Sequence, residues 1–205
     1  MRGTKSLYKV GVALCVLFLV LGFFLTAKTR YSSAKCQVEI SSLVLPPNFE
    51  AELFAHVKEP RQMAVSPSQD VFVGSRFAGH VYCISSRGGA RKTLLVARGL
   101  NQPSGVALDA DDTLYVAEID SVLVYRQIGK LVEEALRRND TEYIVSAATP
   151  EVWAEFPQDK HHGWKYIKFA PDGRLYVPVG SPCNTCLRDD ERYSTIMRLY
   201  PFLAF

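Results

Sequence analysis

The chain has 205 residues, of which 48% are hydrophobic and 22% charged, and its formal net charge is +3. The six charged side chains of the first 35 residues are all basic, so the remaining 170 residues carry 18 basic and 21 acidic side chains. Because this larger part is slightly acidic, it has no electrostatic footprint for a nucleic-acid backbone, and we expect no nucleic-acid partner.

An uncharged run of 18 residues extends from Val10 to Ala27. This length is about what a helix needs to cross a bilayer, and it exceeds the apolar core of an ordinary signal peptide. We therefore predict a cytoplasmic tail at residues 1–9, a transmembrane signal-anchor at residues 10–27 and a linker at residues 28–43. The basic residues on the two sides balance, and the free amino terminus favours a cytoplasmic N-terminus. Cleavage after Ser32-Ser33-Ala34, which would give a secreted protein, is the alternative.

Cysteines and a glycosylation sequon favour the same compartment for the folded part. Outside the apolar run the chain has four cysteines, an even number typical of an oxidising environment. Asn139, in Asn139-Asp140-Thr141, is a candidate N-glycosylation site. We expect a lumenal, extracellular or periplasmic domain, and the pairing of Cys36 and Cys83 stays open.

Three segments of the chain align with one another without a gap. They begin at Met63, Val106 and Ile167, and each has apolar residues, a polar turn and then an apolar-aromatic-Val strand. A further strand pattern follows each segment. A β-unit that recurs every ~40–50 residues is typical of β-propeller blades. We therefore predict that residues 44–205 are an all-β domain of three to four propeller blades, with a plain β-sandwich as the alternative.

The predicted propeller is incomplete, because a propeller ring closes with about four to eight blades. An open ring leaves a sheet edge available, so we expect that the domain can associate with itself or a partner through that edge. Between the second and third segments, apolar residues lie on one helical face at Ile128, Val132 and Ala135. This spacing predicts an inserted surface helix near residues 127–138.

Two adjacent histidines precede the third segment, in His161-His162-Gly163-Trp164. In the alignment of the three segments, His162 takes the position of Lys58 in the first and Asn101 in the second. These positions are loops that enter a strand at one end of the ring, where propellers bind ligands in a central funnel. We expect Asn101, Gln102 and Arg61 to share that funnel with His162.

Cys183-x-x-Cys186 follows the same segment. A zinc site would need two more ligands at suitable spacing, and a redox pair would need a thioredoxin-like βαβ context. Neither is present in the sequence, so we predict a local disulfide between Cys183 and Cys186 and no metal bound by them.

These motifs together resemble a known family. His-His-Gly-Trp-Lys, Pro-Asp-Gly, Leu-Tyr-Val-Pro-Val-Gly and Pro-Cys-Asn-x-Cys, all within His161–Cys186, are similar to the glucose/sorbosone dehydrogenases. Leu45-Pro-Pro-Asn-Phe49 and Asn101-Gln-Pro-Ser-Gly105 match the family's opening blades. The resemblance covers residues ~44–199 and is nearest to the L-sorbosone dehydrogenase-like branch.

This resemblance implies a six-bladed propeller that oxidises a sugar or aldehyde and passes a hydride to pyrroloquinoline quinone (PQQ), with calcium as a second cofactor. It implies that His162 is the general base, with His161 as the fallback. Imidazole suits this role because it changes its charge near neutral pH. The family's quinone and calcium ligands lie in later blades, so no residue of this chain is assigned to them.

Two other functions stay open from the sequence. One is a non-catalytic propeller that binds a carbohydrate or a protein in the secretory pathway. The other is a lactonase-like hydrolase, which would need a metal held by acidic and Asn side chains, and the His-His-Gly-Trp loop argues against it.

Overall fold

A computed structural model describes residues 40–138 and 150–200 of the chain. The predicted anchor at residues 10–27, Cys36 and the sequon at Asn139 lie outside these ranges. Within them, no helix is both long and apolar enough to cross a bilayer. The chain divides into two units, residues 1–53 and 54–205. In the described part of the first unit, Ile40–Ser42 form a 3-10 turn and the rest is irregular.

The second unit contains three antiparallel sheets that follow one another along the chain. Two of them have four strands each, in the order of the sequence, and the third has three. The strands are β1 (Pro60–Val65), β2 (Val71–Ser75), β3 (Val81–Ser85) and β4 (Lys92–Ala97) in the first sheet, β5 (Gly105–Leu108), β6 (Leu114–Ala117), β7 (Ser121–Tyr125) and β8 (Glu151–Glu155) in the second, and β9 (Lys168–Phe169), β10 (Leu175–Val179) and β11 (Thr195–Leu199) in the third.

The second sheet is buried on both faces. Successive side chains of its strands point to opposite sides, and each side packs against a neighbouring sheet. Val106, Leu114 and Val116 pack in one core with Phe72 and other residues of the first sheet. Tyr115 lies in the other core, which contains Leu175 and its neighbours in the third sheet. The three sheets are therefore stacked as successive layers with the second in the middle.

The first strands of the three sheets lie side by side, and Gln62 of β1 joins them. Its side-chain oxygen accepts hydrogen bonds from the backbone N–H of Ile167 (2.9 Å) and Val106 (3.3 Å). Its side-chain nitrogen donates to the carbonyl of Ile167 at 2.5 Å. Because Gln62 takes both backbone groups of Ile167, where the third aligned segment begins, the paired part of β9 starts only at Lys168.

The architecture is mostly β and is consistent with part of a β-propeller, in which each sheet is a blade and the first strands are innermost. The two ends of the array differ from its centre. Met63 and Val65, on the face of β1 that points away from the second sheet, are 63% and 58% exposed. At the other end Tyr176 of β10 is half-buried, although its counterparts Phe72 and Tyr115 are buried against the next sheet.

The inserted helix is confirmed as α1, Ile128–Arg138, between β7 and β8. Its residues Ile128, Val132 and Ala135 are buried in the core between the first and second sheets. Asp112 holds its first turn, because its backbone carbonyl and its carboxylate accept the N–H groups of Ile128 (3.0 Å) and Gly129 (2.7 Å).

Candidate functional site

The histidine loop, residues 159–165, enters the innermost strand of the third sheet. His162 has a φ of 54°, in the left-handed region that few non-glycine residues adopt. Its backbone packs against Gly180 at the end of β10, where a Cβ atom would lie 2.1 Å from the His162 carbonyl oxygen. Glycine at 180 is therefore required for the loop to lie where it does.

Both imidazoles are exposed and converge on one atom of Asn184. Nε2 of His162 lies 2.8 Å from Oδ1 of Asn184, and Nε2 of His161 lies 3.3 Å from the same oxygen. The two rings meet edge to face with their centroids 4.1 Å apart. An amide oxygen only accepts hydrogen bonds, so each neutral imidazole carries its proton on Nε2 in this arrangement. Nδ1 of His162 has no hydrogen-bond partner in the described part of the chain, and its lone pair can accept a proton.

Asn184 lies on the disulfide loop, residues 181–194, which connects β10 to β11. Cys183 and Cys186 are joined by a disulfide, and the N–H of Cys186 donates to the Cys183 sulfur at 2.8 Å. Asp159 ties the histidine loop to the disulfide loop a second time. Its carboxylate accepts hydrogen bonds from the Tyr193 hydroxyl and, at 3.4 Å, from Arg188. The hydrogen bond to Asp159 raises the pKa of Tyr193.

A cleft of about 390 Å³ lies beside the innermost strands. Arg61 is exposed there and has no ion-pair partner within residues 40–138 and 150–200, so its guanidinium is available to an anionic group. Aromatic rings, backbone and polar groups complete the walls. The cleft is lined by Pro60, Arg61, Gln62, Ser104, Trp164, Lys165 and Tyr166.

Trp164 projects from the histidine loop and is 39% exposed. Its indole N–H donates to the Gln102 side-chain oxygen at 2.7 Å. The Arg76 guanidinium lies 3.6 Å from the centroid of the Trp164 ring and 4.3 Å from that of Phe77. Stacking of this kind holds the indole in one orientation while part of its surface stays open.

Lys165 lies beneath the cleft and is only 3% exposed. Its ammonium group donates to the carbonyl of Gly163 at 2.9 Å and also to that of Ile119. Burial lowers the pKa of Lys165 to about 8, while the charge of Asp120 opposes this shift. Lys165 thereby fixes the backbone that directly follows His162.

The structure brings only some of the predicted site residues together. Arg61 lines the cleft, and Gln102 contacts Trp164 of its wall. Asn101 is instead held by its own sheet, because its backbone N–H donates to Glu118 at 2.5 Å and its side-chain amide to Asp120 at 3.0 Å. His162 and His161 are not among the residues that line the cleft, and they contact Asn184.

Sequence reasoning did not single out Lys165 and Asn184 as parts of this site. A lysine inside an otherwise apolar run before a strand is a signal that could have pointed to Lys165. Asn184 had a weaker signal, since only its position inside Cys-x-x-Cys distinguishes it from any loop asparagine.

A second cavity, of about 490 Å³, lies between the turns at Asp109–Asp111 and Pro171–Arg174. These turns follow the innermost strands β5 and β9, whereas the histidine loop precedes β9, so this cavity lies at the opposite end of the sheets. Within the described residues, no group of three or more His, Cys, Asp or Glu side chains is arranged to hold a metal ion.

Comparisons with known proteins bear on the fold. No family model matches the chain, and no curated protein matches it. Among solved structures, the PQQ-bound form of an aldose sugar dehydrogenase from Streptomyces coelicolor is similar, with a TM-score of 0.51 and 18% sequence identity. The match covers 71% of this chain and 46% of that chain, so this chain spans about half the length of the dehydrogenase.

A second solved structure, a catalytically inactive virginiamycin B lyase from Staphylococcus aureus with quinupristin, matches with a TM-score of 0.36 and 16% identity. That match covers 58% of this chain and 34% of the lyase, and it is too weak to bear on the fold. The first likeness supports a propeller fold like that of a PQQ-dependent sugar dehydrogenase for this part of the chain, and it does not distinguish branches of that group.

Proposed function

We propose that this chain forms blades of a six-bladed propeller oxidoreductase that oxidises a sugar or an aldehyde. The observation that carries the proposal is the imidazole of His162, which is exposed on the loop entering an innermost strand and gives its Nε2–H to Asn184. The propeller fold shared with an aldose sugar dehydrogenase agrees with it. The resemblance of its motifs to the L-sorbosone dehydrogenase-like branch is what favours sorbosone-type substrates within this class.

His162 would act as the general base. Nδ1 accepts the proton of a substrate hydroxyl while the hydrogen on the adjacent carbon leaves with its electron pair, so that the alcohol becomes a carbonyl. The resulting imidazolium keeps its hydrogen bond to Asn184, since Nε2 is a donor in both charge states. His161 donates to the same oxygen over a longer distance, which makes it the second choice for this role.

Within the described residues the Arg61 guanidinium has no ion-pair partner, so Arg61 would be the residue to bind a carboxylate of PQQ, and the rings of Trp164 and Tyr166 would contact its flat face. When bound, the quinone supplies the two-electron acceptor for the hydrogen that leaves the substrate carbon. The described residues do not fit calcium, because they offer no cluster of acidic ligands.

The test adds PQQ, calcium and an artificial dye acceptor to the full chain with a panel of aldoses and aldehydes. We expect dye reduction that falls by about 100-fold or more in His162→Ala, as removal of a general base does. His56→Ala removes an exposed histidine elsewhere and should leave the rate unchanged. An unchanged rate in His162→Ala would contradict the base assignment.

The observation that favours the second candidate, a non-catalytic carbohydrate-binding propeller, is the stacked group Arg76, Phe77 and Trp164. Exposed rings held in a fixed orientation can stack on the apolar face of a sugar. Under this hypothesis Trp164→Ala abolishes binding to a glycan array, whereas His162→Ala leaves binding intact. Neither variant reduces the dye.

We further propose that the domain lies outside the cytosol on a signal-anchor at residues 10–27, with secretion after cleavage as the alternative. The exposed Met63 and Val65 at one end of the three sheets support association with further blades or with a second copy of the chain. Sedimentation of the full chain in detergent measures this, and a monomer at all concentrations would contradict self-association.

A further inference from the structure

We propose that Asn184 is a positioning residue, which holds His162 in the tautomer with its proton on Nε2 and is itself held in place by the Cys183–Cys186 disulfide. The tautomer and the role of the disulfide follow from contacts within this chain. Only their consequence for catalysis rests on the function proposed above.

The contact between the loops selects one side of each ring. Both imidazoles present Nε2, at 2.8 and 3.3 Å, to the same side-chain oxygen. One oxygen with two lone pairs satisfies two N–H donors, and this arrangement needs the same tautomer in both rings. The Nδ1 atom of His162 is thereby left unprotonated, which is the state that a base requires. With the amide of Asn184 reversed, both rings would carry the proton on Nδ1, so the tautomer is the decisive observable.

The disulfide places Asn184 where it can meet both rings. Asn184 is the first of only two residues between Cys183 and Cys186, so the covalent bond closes a very short ring around it. Inside that ring, the N–H groups of Thr185 and Cys186 donate to the Cys183 sulfur at 3.4 and 2.8 Å. The Asn184 side chain is exposed, so the backbone of this small ring is what sets its position.

The histidine side of the contact is fixed by separate means. The backbone of His162 packs against Gly180, and the Lys165 ammonium binds the carbonyl of Gly163. Loss of the disulfide therefore moves Asn184 away from a histidine loop that stays in place. Because only Asn184 moves, opening or closing the Cys183–Cys186 disulfide controls the tautomer of His162.

The first experiment is nitrogen-15 NMR of the histidine side chains in the full chain, at a pH where the imidazoles are neutral. We expect the Nε2–H tautomer for His161 and His162, and a slowly exchanging Nε2–H proton on His162. Asn184→Leu should raise the exchange rate of that proton by at least about 10-fold, and Asn184→Asp, which keeps an acceptor oxygen, should restore slow exchange. His80, whose Nδ1 lies 2.8 Å from the Tyr82 hydroxyl, is the internal reference and should not change.

The second experiment opens the disulfide. Dithiothreitol gives two electrons and two protons, so that each cysteine becomes a thiol and the dithiol closes its own disulfide. We expect the Nε2–H signal of His162 to exchange as fast as in Asn184→Leu and to slow again after reoxidation. The Cys183→Ser/Cys186→Ser double variant should match the reduced protein, and Thr185→Ser should match the wild type.

An Nδ1–H tautomer of His162, or exchange that is equally fast with and without Asn184, would overturn the inference. Dye reduction then separates it from the proposed function. Where the enzyme is active, Asn184→Leu should lower kcat by about 10- to 100-fold with little change in KM, the size of effect that loss of the hydrogen-bond partner of a metal-bound histidine has. The expected NMR result without any dye reduction would keep the positioning role and overturn the dehydrogenase proposal alone.

Discussion

The loops that enter the second and third sheets occupy matching places in the repeat and use their polar residues differently. In the loop before β5, Asn101 is tied to its own sheet, with Glu118 and Asp120 as acceptors. In the loop before β9, His161 and His162 are exposed and bind Asn184 of the neighbouring disulfide loop. Asn101 completes its own blade, whereas the two histidines join the histidine loop to the disulfide loop at the surface.

The difference shows how a repeat fold can acquire a candidate site. A polar side chain that is satisfied within its own sheet, like that of Asn101, is a structural element, and changes there cost stability. Exposed side chains that reach another loop, like those of the histidines, leave ring nitrogens open to a ligand, and changes there cost little stability. If stability and chemistry are divided between the two loops in this way, variants of each loop should affect only one of them.

The largest effect on stability is expected at Glu118, which is buried. Its carboxylate accepts the backbone N–H of Asn101 at 2.5 Å and the hydroxyl of Ser121 at 2.8 Å. Glu118→Ala leaves both donors without this acceptor, and we expect the free energy of unfolding to fall by about 3 kcal/mol. His162→Ala should lower it by less than about 1 kcal/mol, because the ring is exposed. Urea unfolding of the two variants measures both values, and equal losses would remove the distinction between the loops.

Gly180→Ala is expected to have the next largest effect. The new Cβ would lie 2.1 Å from the His162 carbonyl oxygen, so the histidine loop must shift, at a cost of about 1–3 kcal/mol in the free energy of unfolding. The matched control is Gly173→Ala in the β9–β10 turn, where no atom lies within 4 Å and the only strain is that of a φ of 75°. The histidine NMR signals should move in the first variant and stay in the second, and signals that stay in both would contradict this packing.

Much of the fold follows from local patterns, and the site does not. The repeats at Met63, Val106 and Ile167 predict the first hairpin of each sheet, and the spacing of Ile128, Val132 and Ala135 predicts α1, because both signals depend on residues close in sequence. The outer strands β4 and β8 have no counterpart pattern in the aligned segments, so the repeats do not predict them.

The contacts that build the site join residues far apart in the chain. Gln62 takes the backbone groups of Ile167, which lies 105 residues away, and this shortens β9. His162 and Asn184 are 22 residues apart and meet only because the loops on either side of β10 fold toward each other. The family resemblance pointed to His162 without revealing its partner, because a loop asparagine has no distinctive pattern.

The pH dependence of stability tests the buried lysine that holds the histidine loop. Chiefly because of burial, the pKa of Lys165 is lowered to about 8 in the folded chain from its ordinary value of 10.5. Between these pH values the unfolded chain binds more protons than the folded one at this side chain, so this group makes the free energy of unfolding rise with pH. The rise is at most about 1.4 kcal/mol per pH unit. Lys165→Met should abolish this rise between pH 8 and 10, and an unchanged slope in urea unfolding would contradict the assignment.

The smallest effect is expected between Arg76 and Trp164, which connect the first sheet to the histidine loop. The guanidinium lies 3.6 Å from the centroid of the indole, and a partly exposed contact of this kind is worth about 0.5–1 kcal/mol. A double-mutant cycle with Arg76→Gln and Trp164→Leu should give a coupling energy in that range. The matched cycle uses Arg174 and Tyr200, whose separation of 4.9 Å predicts a weaker coupling. Trp164 also donates a hydrogen bond to Gln102. A coupling energy near zero would therefore mean that this hydrogen bond alone orients the indole. The loop before β5 would then position the aromatic wall of the cleft in addition to completing its own sheet.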